Sequence, residues 1–201
     1  MALTLLLLAL TAHAHSASKV VVVLGDSLSA EYGLQRGEGW VNLMQQRVDQ
    51  QKIGARIINA SISGETTSGG RARLKKLLDQ HQPDIVIIEL GGNDALRGLP
   101  LSSTHANLLN MVNSAQAANA RVLLIGMQIP PNYGADYTQQ FSSLFPRIAK
   151  ESGAALVPFM LKGVAENTDM FQSDRIHPAA AAHPIILDNI WPALQLLLRA
   201  K

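Results

Sequence analysis

The 201-residue chain has no cysteine. That absence excludes disulfides, a thiol nucleophile and cysteine-ligated metal sites, so stability must come from packing alone. Aromatic side chains make up only 4% and charged ones 16%, with a net charge of +2. So small a charge, in a chain so poor in aromatics, lacks the footprint of a nucleic-acid-binding surface. The one basic cluster, "RARLKK" at 71–76, reads as the solvated face of a helix. Beyond the first residues no apolar run is long enough to span a bilayer, so no integral membrane segment is expected. Neither G-x-x-x-x-G-K-[ST] nor G-x-G-x-x-G occurs, which removes the usual marks of a phosphate-binding loop.

What is present starts with "MALTLLLLALTAHAHSAS". The apolar stretch from Leu3 to Ala12 is too short for a membrane span and is followed by Ala12-His13-Ala14, an A-x-A pattern. It predicts a secretory leader over residues 1–14, although the segment before the apolar run carries no Lys or Arg. The mature chain, 15–201, is then a single periplasmic or secreted domain, expected to be a monomer. Its 47% apolar content is that of a globular protein with a core of its own.

Five short apolar runs alternate with amphipathic stretches. The runs are "KVVVVLG" (19–25), "ARIINAS" (55–61), "DIVIIELGG" (84–92), "RVLLIGMQ" (121–128) and "AALVPF" (154–159). Near-continuous apolar character suits strands buried on both faces of a parallel sheet. Helical patterns lie near 40–52, 67–81, 102–119, 136–152 and 181–199. Together they predict an α/β fold, a three-layer α/β/α sandwich around a five-stranded parallel sheet.

Ligands of such sheets bind at the carboxyl ends of the strands. There this sequence places Gly25-Asp26-Ser27, then Gly64 in "NASISGETT", then Asn93 in "GGNDALRG", and finally Asp174 and His177 in "SDRIHP". Ser27 and Asp26 in isolation suit a plain turn, and so do Asn93 and Asp94. Converging on one edge, they suit nucleophilic catalysis. A serine needs a base to take its proton. Of the six histidines only His177 lies at this edge with a carboxylate, Asp174, three residues before it; His105 and His183 read as surface positions. Asp174 can fix the imidazole tautomer and leave the other nitrogen for Ser27. The N–H groups of Ser27 and Gly64 and the Asn93 side-chain amide can serve as oxyanion donors. Asp26 is read as structural, accepting loop N–H groups, rather than as the triad acid. No metal or other cofactor is required, and His177 and His183 lack a ligand set that would suggest one.

"GDSLS" (25–29), Gly64 in "NASISGET", "GGND" (91–94) and "DRIHP" (174–178) resemble, in order, the blocks of the SGNH (GDSL) hydrolases. The resemblance covers the whole mature chain, and "INASISGET", "ELGGNDALRG" and "PPNYG" are closest to the bacterial thioesterase I / protease I / lysophospholipase branch, also called arylesterases. It implies a flavodoxin-like strand order 2-1-3-4-5, a Ser27–Asp174–His177 triad and an oxyanion hole of Ser27, Gly64 and Asn93. The activity implied is hydrolysis of acyl esters, lysophospholipids and thioesters through an acyl-enzyme on Ser27. The loops 94–100 and 127–137 should form the acyl crevice, with Ile129 and Pro130 at crevice positions. No G-x-S-x-G occurs, so the α/β-hydrolase elbow is not used. Two positions depart from the branch's pattern: Glu31 and Arg175, which flank the catalytic loops, stand where glycine is common. An ion pair between them would be weak. Two other readings compete. A carbohydrate O-acetylesterase of the same superfamily would want a shallow polar pocket, and a flavodoxin-like phosphate- or lipid-binding module would need no Asp-x-x-His.

Overall fold

The computed structural model describes residues 18–200, so the predicted leader, 1–14, lies outside the described residues. Five strands form one parallel sheet in the order β2-β1-β3-β4-β5. They are β1 (Lys19–Gly25), β2 (Ala55–Asn59), β3 (Ile85–Glu89), β4 (Arg121–Ile125) and β5 (Ala155–Val157). Every pairing is parallel, with Val21 beside Ile85, Ile85 beside Arg121 and Leu123 beside Ala155. Val21 to Leu24 and Ile85 to Ile88 are fully buried, because helices cover both faces.

Helices α1 (Trp40–Gln50), α2 (Thr67–His81), α3 (Gly92–Leu96), α4 (Leu101–Ala117), α5 (Ala135–Ser152) and α6 (His183–Arg199) complete the fold. α1 packs on α6, while α2, α4 and α5 pack side by side, giving the two outer layers. The long helices follow the expected periodicity: Phe141, Leu144, Phe145 and Ile148 form the buried stripe of α5. α3 is the exception. Its first residue, Gly92, falls in the apolar run read as the third strand and the rest in a stretch read as loop; five residues are too few to show a helical period. Among the described residues no helix is long and apolar enough to cross a membrane.

Strand register decides what lies beneath the first loop. Gly25 ends β1 directly beside Glu89, which ends β3. A Cβ on Gly25 would lie 2.6 Å from Ser29 Oγ and 2.8 Å from Glu89 Oε2. The glycine is there to admit a buried carboxyl group and a hydroxyl.

Candidate active site

The chain leaves β1 through a turn held from several sides. Ser29 N–H and Ala30 N–H donate to the Asp26 carbonyl. Trp40 Nε1 donates to the Leu28 carbonyl at 3.1 Å, and Asn59 Nδ2 donates to the Ser29 carbonyl at 2.7 Å. Asp26, 2% exposed, takes Leu28 N–H on Oδ1 and Asn93 Nδ2 on Oδ2, both at 3.0 Å. Asp26 therefore accepts a loop N–H, as its structural reading requires, and also holds a side chain with a candidate role in catalysis. Burial raises its carboxyl to about 6 against the pull of the Leu28 N–H and the Asn93 amide.

The segment after β5 closes the site. A turn in which Arg175 N–H donates to the Gln172 carbonyl brings Asp174 under His177. Asp174 Oδ1 accepts Ile176 N–H at 2.9 Å and His177 N–H at 3.0 Å; Oδ2 lies 2.6 Å from His177 Nδ1. The other imidazole nitrogen, Nε2, lies 2.9 Å from Ser27 Oγ. The two backbone N–H donors, and then the imidazole, lower the Asp174 carboxyl to about 2. It is thus an ionised acceptor that orients the ring, and the far nitrogen is within reach of the serine proton. Tyr32 lies against the other side of the ring, centroid to centroid 4.3 Å.

Three N–H donors at the carboxyl edge of the sheet have no acceptor among the described residues: the amide of Ser27, that of Gly64, and one hydrogen of the Asn93 amide. Gly64 has φ +78, a left-handed conformation that favours glycine, and its carbonyl is drawn away by Arg97 Nη2 at 2.8 Å. Asp94, next to Asn93, is buried and accepts from the N–H and hydroxyl of Thr67 at the start of α2, which locks α3 to α2.

A cavity of about 500 Å³ opens beside Ser27, Asn93 and His177. Ile129 and Pro130 line it as expected, whereas the loop at 94–100 contributes only Leu96. Gly64 is not part of its lining. A further part of the lining, missed by sequence reasoning, comes from the segment after β5 and includes Phe159, Leu161 and Phe171. These residues follow a strand of only three residues and show no period of their own.

Two expectations need correction. His183 is 2% exposed, not a surface residue; its Nδ1 accepts Trp40 N–H at 3.0 Å and so ties α6 to the start of α1. His105 is half-buried, with Nε2 3.3 Å from Glu151 of α5. Glu31 and Arg175 do not pair with each other. Both adopt left-handed backbone, each with φ 58, which explains why glycine suits these positions. Glu31 compensates: its Oε1 accepts Gly37 N–H at 3.0 Å and Gly39 N–H at 2.8 Å. Arg175, exposed at the cavity rim, forms no ion pair among the described residues.

A model of the GDSL-like lipase/acylhydrolase family matches residues 23–185. The chain belongs to that family. It is 48% identical to esterase TesA of Pseudomonas aeruginosa, over 91% of each chain. It is 41% identical to thioesterase 1/protease 1/lysophospholipase L1 of Escherichia coli K12, covering 96% of this chain and 91% of the relative. Among solved structures, the esterase EstA from Pseudoalteromonas sp., inhibited by monoethylphosphonate, superposes with a TM-score of 0.86 at 43% identity. That match covers 90% of this chain and all (100%) of the other. The family match spans all four polar blocks of the carboxyl edge and ends within the first turn of α6.

The two left-handed residues should separate on substitution. Arg175→Gly removes strain of roughly 1–2 kcal/mol and no hydrogen bond, offset in part by glycine's larger chain entropy. Its urea midpoint should stay the same or rise. Glu31→Gly removes the same strain but also two carboxylate hydrogen bonds, and should lose about 1–3 kcal/mol. The opposite ranking in urea unfolding would mean the Glu31 bonds carry no stability.

Proposed function

We propose that the protein is a serine esterase that hydrolyses acyl esters through an acyl-enzyme on Ser27. The observation carrying this reading is the continuous line Asp174 Oδ2–His177–Ser27 Oγ, with contacts of 2.6 and 2.9 Å, beside an apolar cavity. His177 takes the Ser27 proton as Oγ attacks the ester carbonyl, then returns it to the leaving alcohol. Water, activated by the same imidazole, cleaves the acyl-enzyme. Negative charge on the tetrahedral carbonyl oxygen is met by Ser27 N–H, Gly64 N–H and the Asn93 amide.

The cavity supports acyl chains rather than acetyl groups. A shallow polar pocket would suit a carbohydrate O-acetylesterase; here Leu96, Ile129, Phe159, Leu161 and Phe171 make a wall that an acetyl group would leave unused. The relatives' names add esterase, thioesterase and lysophospholipase activity as the chemistry to test. The A-x-A leader supports export to the periplasm or beyond. In that compartment oxygen esters such as lysophospholipids are better substrates than acyl-CoA, a cytoplasmic metabolite.

A panel of p-nitrophenyl esters from acetate to palmitate, beside lysophosphatidylcholine and palmitoyl-CoA, tests the activity and its preference. Asp174→Asn should keep the fold and lower kcat by something like ~10⁴, as the serine-protease precedent indicates. Ile129→Ala deletes about three methylene-sized groups from the cavity wall, each worth roughly 0.8 kcal/mol. Long-chain kcat/KM should drop ten- to a hundredfold with acetate turnover little changed. Equal losses on both would take Ile129 out of the crevice. For export, N-terminal sequencing of the protein recovered outside the cytoplasm should begin at His15; an intact Met1 there would contradict the leader.

A further inference from the structure

Glu89 is a fully buried carboxyl group beneath the nucleophile turn, and the reaction as described has no use for it. Its Oε2 accepts Ser29 Oγ at 2.7 Å and, more distantly, Asp26 N–H at 3.3 Å; its Oε1 is buried with no partner. Asp26, its neighbour, takes two N–H donors, one of them the Asn93 amide. We propose that Asp26 and Glu89 form a relay that positions Asn93, with Asp26 carrying the negative charge and Glu89 remaining neutral.

The donors decide which carboxyl holds the charge. Glu89 Oε2 already faces the Asp26 backbone, and two carboxylates that feel each other in a dry interior cannot both ionise cheaply. Asp26 has an N–H for each oxygen, while Glu89 has an oxygen with nothing to face it. Burial, reinforced by the charge on Asp26, pushes Glu89 well above the usual carboxylate range. On its other sides Asp26 feels His177, which favours its charge, and Asp94, which opposes it. An ionised Asp26 can only accept hydrogen bonds, so it sorts the two ends of the Asn93 amide. The NH₂ must face it, one hydrogen bound to Oδ2 and the other free for the oxyanion. A protonated Asp26 could instead donate to the Asn93 carbonyl, which would turn the amide around and remove the donor. A neutral Glu89 keeps the proton off Asp26. Asp26 and Glu89 are thus positioning residues, acting through Asn93.

The proposal rests on the esterase reading, and its test is built so that the two can fail separately. Turnover of p-nitrophenyl butyrate by the wild type, and its loss in Ser27→Ala, tests the reading itself. The relay is tested by a double-mutant cycle on the same substrate. Asn93→Ala should cost about 10²–10³ in kcat, and Asp26→Asn about tenfold or more, each with KM nearly unchanged. Combined, they should lose little beyond Asn93→Ala alone, because Asp26 acts only through that amide. Glu89→Gln, neutral and of the same shape, should keep kcat within about threefold, while Glu89→Leu should lose about tenfold with KM again unchanged. If the Asp26 and Asn93 losses multiply, or Glu89→Gln is as impaired as Glu89→Leu, the relay is wrong even though the enzyme is an esterase. Should the Glu89 variants fail to fold, the cycle alone decides.

Discussion

Parallel pairing of β1 with β3 sets Gly25 against Glu89, and the site is built on that juxtaposition. A glycine with no Cβ lets a carboxyl group and a hydroxyl lie under the turn that carries Ser27. The turn can then be closed by side chains from β2, β3 and α1 rather than by its own backbone alone. Such a fixed turn matters because a nucleophile displaced by about 1 Å loses orders of magnitude in rate.

From this turn, polar connections run outward along the carboxyl edge of the sheet. Asp26 reaches α3, after β3, through Asn93; Asp94 in that helix reaches α2 through Thr67; Arg97, just past α3, reaches the Gly64 carbonyl after β2. The three N–H donors left without an acceptor thus come from three segments that hold one another, the turn after β1, the loop after β2 and α3. His177 is fixed differently, by a local turn in which one carboxylate oxygen gathers two N–H groups and the other meets the imidazole. That turn is tied to the nearby cavity wall: Phe171 pairs with Pro178, and Gln172 N–H donates to the His177 carbonyl.

Much of this was legible in the sequence. The five strands, their flanking helices and the position of every polar block followed from apolar runs and from where they stop. The strand order is shared with the family, and the Ser27, Asp174 and His177 side chains do meet. What escaped was tertiary. Glu89 stands inside the apolar run at 84–92, where nothing local says what a carboxyl group in a buried strand would face. His183 looked exposed because it follows a run of alanines, but its partner, Trp40, is distant in sequence. The wall at 158–171 has no period to read. Glu31 and Arg175 depart from a glycine pattern, and their left-handed backbone gives the physical cause of that pattern.

The nucleophile is tested most directly by covalent labelling. The protein would be treated with a p-nitrophenyl alkylphosphonate, which transfers its phosphorus to an activated serine and releases p-nitrophenol. Intact mass and peptide mapping should find a single adduct, on Ser27, with esterase activity lost in step with labelling and no adduct in Ser27→Ala. Loss of activity with the label on any other residue, or full activity in a protein labelled at Ser27, would contradict the assignment of Ser27 as the group that attacks the ester.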